Sequence, residues 1–132
     1  MGPRTPEDVH ALFVRAANAG DIEAVLALYE PGAAIVGATG ELATGLAAVR
    51  EVTQGLLALR PRFDLRVDRV LLGGDVALLL SPWTMAGTAE DGTPLTLAGT
   101  TTDVVRRQTD GSWRFIIDNP TGVAIVGDAA NV

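Results

Sequence analysis

The sequence contains no cysteine and no lysine, and histidine occurs once, as His10. Without cysteine the chain can form no disulfide and no thiolate metal site, and it has no cysteine nucleophile. One histidine also excludes a histidine-rich metal site. No metal ion and no organic cofactor is implied. Acidic residues outnumber the basic ones by 16 to 10, and the net charge of −6 argues against a nucleic acid or an anionic membrane as partner.

Long apolar runs are also absent. No run is long enough to span a bilayer, and the N-terminus lacks the apolar segment of a signal peptide. We therefore expect a cytoplasmic protein. A length of 132 residues with 48% hydrophobic residues suits one domain over residues 1–132. The tail at 122–132 is rich in small residues and is expected to be loosely ordered.

Three helices are predicted in the first half of the chain. Thr5 is a suitable N-cap and Pro6 suits the first helical position, after which apolar residues recur at helical spacing. Asp21 begins a second, shorter helix, whose apolar face is made of Ile22, Val25, Leu26 and Tyr29. A third helix is predicted from about residue 46 to residue 59.

The rest of the chain has the pattern of antiparallel strands. We predict a short strand at 34–36, one strand over 63–72, another over 76–87 and a final hairpin that turns at Gln108–Gly111. The order of elements predicts an α+β fold, in which three helices from the N-terminal half pack on one face of a curved, mostly antiparallel sheet.

The final hairpin places two acids on one face. If Arg107 pairs with Ser112, Asp103 faces Ile116 and Thr101 faces Asp118. The shared face is otherwise mostly apolar or neutral, and burying an unpaired charge is very costly. Asp103 and Asp118 are therefore candidate functional residues. An alternative for Asp118 is that it caps a turn where the strand ends.

The opposite face of the same hairpin is apolar. In this register it carries Thr102, Val104, Trp113, Phe115 and Ile117. Exposed apolar patches usually mark interfaces, and a shared patch is the usual basis of a twofold dimer. We therefore predict a homodimer formed through the convex face of the sheet.

Five local motifs follow one another along the chain: Asn18–Asp21, Ala27–Tyr29, Gly45–Glu51, Thr102–Arg107 and Asp110–Arg114. In this order they resemble the SnoaL-like and ketosteroid-isomerase-like proteins of the nuclear-transport-factor-two-like superfamily. The resemblance covers nearly the whole chain and implies a cone-shaped sheet that the helices close over a mostly apolar pocket. It does not specify an activity, because the superfamily includes isomerases, cyclases, hydrolases, dehydratases and domains that only bind or assemble.

The resemblance can be carried over residue by residue. Ketosteroid isomerase uses an Asp base with an oxyanion hole made of a Tyr and a protonated Asp. The Tyr falls on Phe13, the base on Gly37 and the protonated Asp on Asp103. Two of the three groups are missing, so steroid isomerisation by that mechanism is not expected. Asp118 is the candidate substitute base, with Asp103 as the proton donor or orienting acid.

The remaining pocket residues follow from the same resemblance. Tyr29, Trp83 and Met85 fall on lining positions, while Thr101 and Ile116 lie near the acids. Each could instead belong to an ordinary core. His10 lies off the apolar stripe of the first helix and is predicted to be solvated. Two functions stay open: an acid–base enzyme of isomerase, cyclase or dehydratase type acting on a small apolar molecule, and a non-catalytic ligand-binding or dimerisation domain.

Overall fold

A computed structural model describes residues 2–122, which form three helices and a seven-stranded sheet. The helices are α1 (Pro6–Asn18), α2 (Ile22–Leu26) and α3 (Leu46–Leu57). The strands are β1 (Tyr29–Val36), β2 (Leu42–Thr44), β3 (Arg62–Leu65), β4 (Arg69–Gly73), β5 (Val76–Thr88), β6 (Pro94–Arg107) and β7 (Trp113–Asp118). Nearly all of the tail that was predicted to be loose, residues 123–132, lies outside the described residues.

The sheet has the order β2-β1-β7-β6-β5-β3, and β4 also pairs with β5. Among the described strands, β1 and β7 run parallel and the other pairs are antiparallel. Helix α1 packs against β3, β5, β6 and β7, and α3 packs against β1. The predicted α+β fold, with helices on the concave face of a curved sheet, is confirmed. No helix of the described part of the chain is both long and apolar enough to cross a membrane.

The helix starts follow the sequence closely. The Thr5 hydroxyl accepts the backbone N–H of Asp8 at 3.2 Å, and the Asp21 carboxylate accepts that of Ala24 at 3.1 Å. Helix α2 ends earlier than predicted, and Tyr29 begins β1 instead of extending the helix. The physical reason is a sheet bond at this point, since the N–H of Phe115 donates to the carbonyl of Leu28 at 2.7 Å.

The single strand predicted over 63–72 is two strands, β3 and β4, on the same partner β5. Leu65 pairs with Trp83 and Arg69 pairs with Leu80, so three residues on one side oppose two on the other. The extra residue is a local irregularity of the bulge type, which bends the chain and ends regular pairing.

A second irregularity lies in the final hairpin. Val105 pairs with Phe115 and Val104 pairs with Ile117, so Ile116 is an extra residue in β7. The predicted pairing of Arg107 with Ser112 is wrong, because Arg107 pairs with Trp113. The predicted placement of Asp103 opposite Ile116 is also wrong, because Ile116 is the extra residue of β7. The bulge reverses the alternation of side chains along β7, so residues before and after it exchange faces.

The bulge changes the predicted dimer face. Trp113 is 5% exposed and Phe115 is 1% exposed, and both belong to the core under the helices. Their predicted position on the outer face is wrong, because strict alternation cannot be extended through a bulge. Val104 and Thr102 are half-buried and Ile117 is 41% exposed, so these three residues still form part of the outer face.

Candidate functional site

Four ionisable side chains meet between α1 and the concave face of the sheet. Asp103 comes from β6, Asp118 from β7, Tyr29 from β1 and His10 from α1, and each is between 1% and 7% exposed. The bulge in β7 makes this meeting possible, because it returns Asp118 to the face that already carries Asp103. We call these four residues the carboxyl cluster.

Asp103 is held by two nitrogen atoms. Its Oδ1 accepts the backbone N–H of Asn119 at 2.7 Å, and its Oδ2 lies 2.7 Å from Nε2 of His10. The other ring nitrogen of His10, Nδ1, lies 2.9 Å from the hydroxyl of Ser81, which is fully buried on β5. Asp103 therefore stands at the end of a continuous Ser81, His10, Asp103 chain of hydrogen bonds.

Asp118 is held by the chain's one tyrosine and lies near Asp103. The Tyr29 hydroxyl donates to Oδ2 of Asp118 at 2.5 Å. Asp118 also lies close enough to Asp103 for the charge of Asp103 to raise the pKa of Asp118. Two carboxylates buried side by side repel each other when both are ionised, so the pair favours a proton on one of the two acids.

The environment decides which acid carries that proton. Burial raises the pKa of Asp103 to about 6, against the opposing effects of Asp118, the backbone N–H of Asn119 and the side chain of Thr101. The pKa of Asp118 is raised well above its usual range, first by burial and then by the charge of Asp103. Near neutral pH, Asp118 is therefore the protonated acid and Asp103 the carboxylate. Burial and the neighbouring Asp118 also raise the pKa of Tyr29, which keeps its proton.

His10 belongs to this cluster, and the prediction that it is solvated is wrong. Burial lowers its pKa to about 4, and the neighbouring acid Asp118 opposes this effect only in part. The imidazole is therefore neutral near pH 7. The sequence did hold a signal for its burial, since Phe13 and Ala17 follow at three and seven residues and share its helix face.

Aromatic rings form the wall beside the cluster. The ring of Phe115 lies 4.7 Å from that of Tyr29, 5.8 Å from His10 and 6.3 Å from Phe13, measured between centroids. Phe13 in turn lies 5.6 Å from Phe63. The carboxyl cluster thus lies in a mostly apolar environment, which is the cause of its shifted pKa values.

The predicted lining residues on β5 and β6 lie along the same face. Trp83 is half-buried over Gly99, and its Nε1–H donates to the carbonyl of Pro120 at 2.8 Å. Met85 is buried two residues further along β5. Thr101 is buried next to Asp103, and its hydroxyl makes no well-formed hydrogen bond with any described residue.

Two predicted pocket residues are placed differently. Ile116 is the half-buried extra residue of the β7 bulge. Gly37 lies in the turn after β1, and the carboxylate of Glu41 occupies the space that a side chain at position 37 would take. Glu41 was missed by the sequence reasoning, because its approach to Gly37 depends on the turn geometry.

Open clefts lie apart from the cluster. One of about 200 Å³ is lined by Asp64, Arg66, Pro82, Trp83 and Thr84. A second of about 410 Å³ includes Arg62, Met85 and Leu97. Within residues 2–122, no group of three or more His, Asp or Glu side chains converges in a way that could hold a metal ion.

Comparison with known proteins gives one family. The family model described as the SnoaL-like domain matches residues 9–116. No curated protein matches the chain.

Several solved structures share the fold at low identity. A ketosteroid isomerase-like protein from Erwinia carotovora has a TM-score of 0.78 and 20% identity, covering 89% of this chain and 93% of its own. A nuclear transport factor 2-like superfamily protein from Salmonella enterica has a TM-score of 0.75 and 15% identity, and the match covers 92% of this chain and 91% of its own. An NTF2-like protein from Novosphingobium aromaticivorans has a TM-score of 0.72 and 21% identity, and the match covers 93% of this chain and 81% of its own. These structural similarities show the fold. The activity has to be inferred from the candidate site.

Proposed function

The chain belongs to the family of SnoaL-like domains, and we propose that it is an acid–base enzyme acting on a small, mostly apolar molecule. The observation that carries this proposal is the buried pair Asp103 and Asp118, whose environments favour one shared proton. A reaction of the isomerase, cyclase or dehydratase type needs one group that accepts a proton and another that donates one.

The pair is poorly explained as a structural feature. Its charge is not balanced by arginine, since the ion pairs that arginines form in residues 2–122 involve Glu23, Glu30 and Asp75. A buried carboxylate without a cation is costly, and such arrangements concentrate at functional sites. An apolar pair of similar size would stabilise this core better, so its presence favours a chemical role.

The protonation states suggest roles opposite to those expected from the sequence. Asp103, held ionised by Asn119 and His10, would accept a proton from the substrate. Asp118, held neutral, would donate one. Both pKa shifts favour this division, since an acid near pH 7 must keep its proton and a base must lose it.

The side chains packed around the carboxyl cluster suggest the class of substrate. Phe13, Phe115 and Trp83 offer aromatic surface, while the hydroxyl of Thr101 lies beside Asp103 and is a polar group at the acid end of this surface. Proton transfer by the two acids needs a substrate oxygen, or a carbon next to a carbonyl, at this polar end. The proposed substrate is therefore an apolar ring compound with a carbonyl or hydroxyl group.

The test uses deuterium incorporation. The protein is incubated in heavy water with a panel of cyclic ketones, cyclic enones and cyclic alcohols. Deuterium incorporation into each compound, or its rearrangement, is followed by mass spectrometry. We expect at least one compound to react, with a loss of about 100-fold or more in Asp103→Asn. Asp68→Asn is the matched control, because Asp68 is exposed. Saturable binding without any difference between the two variants would contradict the acid–base role.

The outer face supports a second candidate, a binding or dimerisation domain. Leu71, Leu78, Val104 and Ile117 pair in one row across β4, β5, β6 and β7. Val104 and Ile117 are the remaining apolar part of the predicted dimer face, and Leu71 and Leu78 extend it, with a second copy of the chain as the occupant. Light scattering at micromolar concentration should give a dimer that Ile117→Glu dissociates. A wild-type monomer would contradict this candidate.

A further inference from the structure

His10 is the chain's one histidine, and both of its ring nitrogens are engaged inside the protein. Nε2 faces Asp103 at 2.7 Å and Nδ1 faces Ser81 at 2.9 Å. A neutral imidazole has one N–H and one acceptor nitrogen, so only two arrangements are available. An ionised Asp103 can only accept, which requires the proton to be on Nε2. Nδ1 then accepts the hydroxyl proton of Ser81.

The donors around the two acids are unequal. Asp103 receives the backbone N–H of Asn119 on one oxygen and the Nε2–H of His10 on the other. Asp118 receives the hydroxyl of Tyr29 on Oδ2. Hydrogen bonds to a carboxylate favour its ionised form, so the acid with more donors releases its proton first. The donor count therefore places the shared proton on Asp118.

We propose that His10 is a positioning residue: held by Ser81 as a neutral Nε2–H donor, it keeps Asp103 ionised and leaves the shared proton on Asp118. The ionisable groups that face it are Asp103 from β6 and Asp118 from β7, with Tyr29 from β1 joined to Asp118. Strand β5 contributes the uncharged Ser81. The catalytic consequence of this arrangement rests on the proposed function, whereas the location of the proton does not.

The wild-type protein gives the first test, because a single histidine needs no assignment. Long-range proton–nitrogen correlations of the labelled imidazole are recorded from pH 8 to pH 5. We expect a protonated Nε2 and an unprotonated Nδ1 at every pH above about 6, where Asp103 is ionised. An imidazolium at pH 7, an Nδ1–H tautomer, or a titration near the ordinary value of about 6.5 would each overturn the proposal.

Variants separate positioning from a purely structural role. His10→Gln keeps an N–H donor near Asp103 and His10→Leu removes it, while carbon-labelled aspartate reports the titration of Asp103, identified by its loss in Asp103→Asn. We expect the titration midpoint to stay close to wild type in His10→Gln and to rise by about one pH unit or more in His10→Leu. Equal midpoints in both variants, with only thermal stability lowered, would overturn the proposal.

These measurements also separate the two proposals. If the nitrogen spectrum and the Asp103 titration behave as expected but no compound reacts, the acid–base function fails and the role of His10 stands. If a compound reacts and the Asp103 midpoint does not depend on the donor at position 10, only the role of His10 fails. If His10→Leu does not fold, the nitrogen spectrum of wild-type His10 still shows whether Nε2 carries the proton, as the proposal requires.

Discussion

The strongest stability prediction concerns Asp118→Asn, which replaces the protonated acid by a neutral group of the same shape. The amide oxygen can accept the Tyr29 hydroxyl and the amide nitrogen can donate to Asp103, so the hydrogen bonds of the cluster are kept. What changes is the cost of protonation. In the unfolded chain Asp118 ionises near pH 4, whereas in the folded protein it keeps its proton to a much higher pH.

The sign follows from that difference. A carboxyl whose pKa is raised on folding stabilises the folded state most at low pH, and this contribution is lost as the pH rises through the folded pKa. Between about pH 4 and the folded pKa of Asp118, each pH unit lowers the contribution of Asp118 to the free energy of unfolding by about 1.4 kcal/mol. We therefore expect Asp118→Asn to be more stable than the wild type by up to about 4 kcal/mol at pH 7, and by little at pH 4.

The assay is guanidinium unfolding at pH 4, 5, 6 and 7, followed by the fluorescence of the two tryptophans, Trp83 and Trp113. The exposed Asp68 again provides the control, and Asp68→Asn should follow the wild type at every pH. A variant that is less stable than the wild type at pH 7 would refute the reasoning. So would a gain that is the same at pH 4 and pH 7, because only a pH-dependent gain reports the buried acid.

Three further predictions test the fold around the cluster. Tyr29→Phe should lower the free energy of unfolding by about 1–2 kcal/mol, and in the wild type the absorbance of the Tyr29 phenolate should appear in alkali only on unfolding. Phe115→Ala should cost about 3–5 kcal/mol in urea unfolding, because Phe115 is in the core, whereas a cost below about 1 kcal/mol would place it on the surface. Asn18→Ala removes both hydrogen bonds from the Asn18 side chain to the backbone of Phe63, at 2.7 and 3.2 Å. It should lower the free energy of unfolding by about 1–2 kcal/mol and speed amide hydrogen exchange in β3. Unchanged exchange in β3 would contradict this role.

Much of the fold could be predicted because its signals are local. Thr5 and Pro6 mark the start of α1 by the bonding needs of the first helical turn, which depend on neighbouring residues alone. The turn at Gln108–Gly111 is local too, since Gly111 adopts a positive φ of 85° that other residues rarely adopt. The two acids were identified from their place on this hairpin.

The candidate site was predicted less completely, because its details depend on distant partners. Strict alternation placed Phe115 on the outer face, and the bulge at Ile116 shows itself only once β7 is paired with β6. His10 was predicted to be solvated because its hydrogen-bond partners, Ser81 and Asp103, lie 71 and 93 residues away in the sequence. No local pattern connects residues so far apart.

The sequence by itself determined the class of the protein: an acidic α+β chain without cysteine, with the ordered motifs of SnoaL-like domains and two acids on the last hairpin. Only the tertiary structure decided that Asp103 and Asp118 meet, that His10 joins them and that Phe115 lies beneath them. The physical reason is that ionisation depends on burial and on the neighbours of a group. Both are set by packing between α1 and the sheet, and neither is written into any short stretch of the chain.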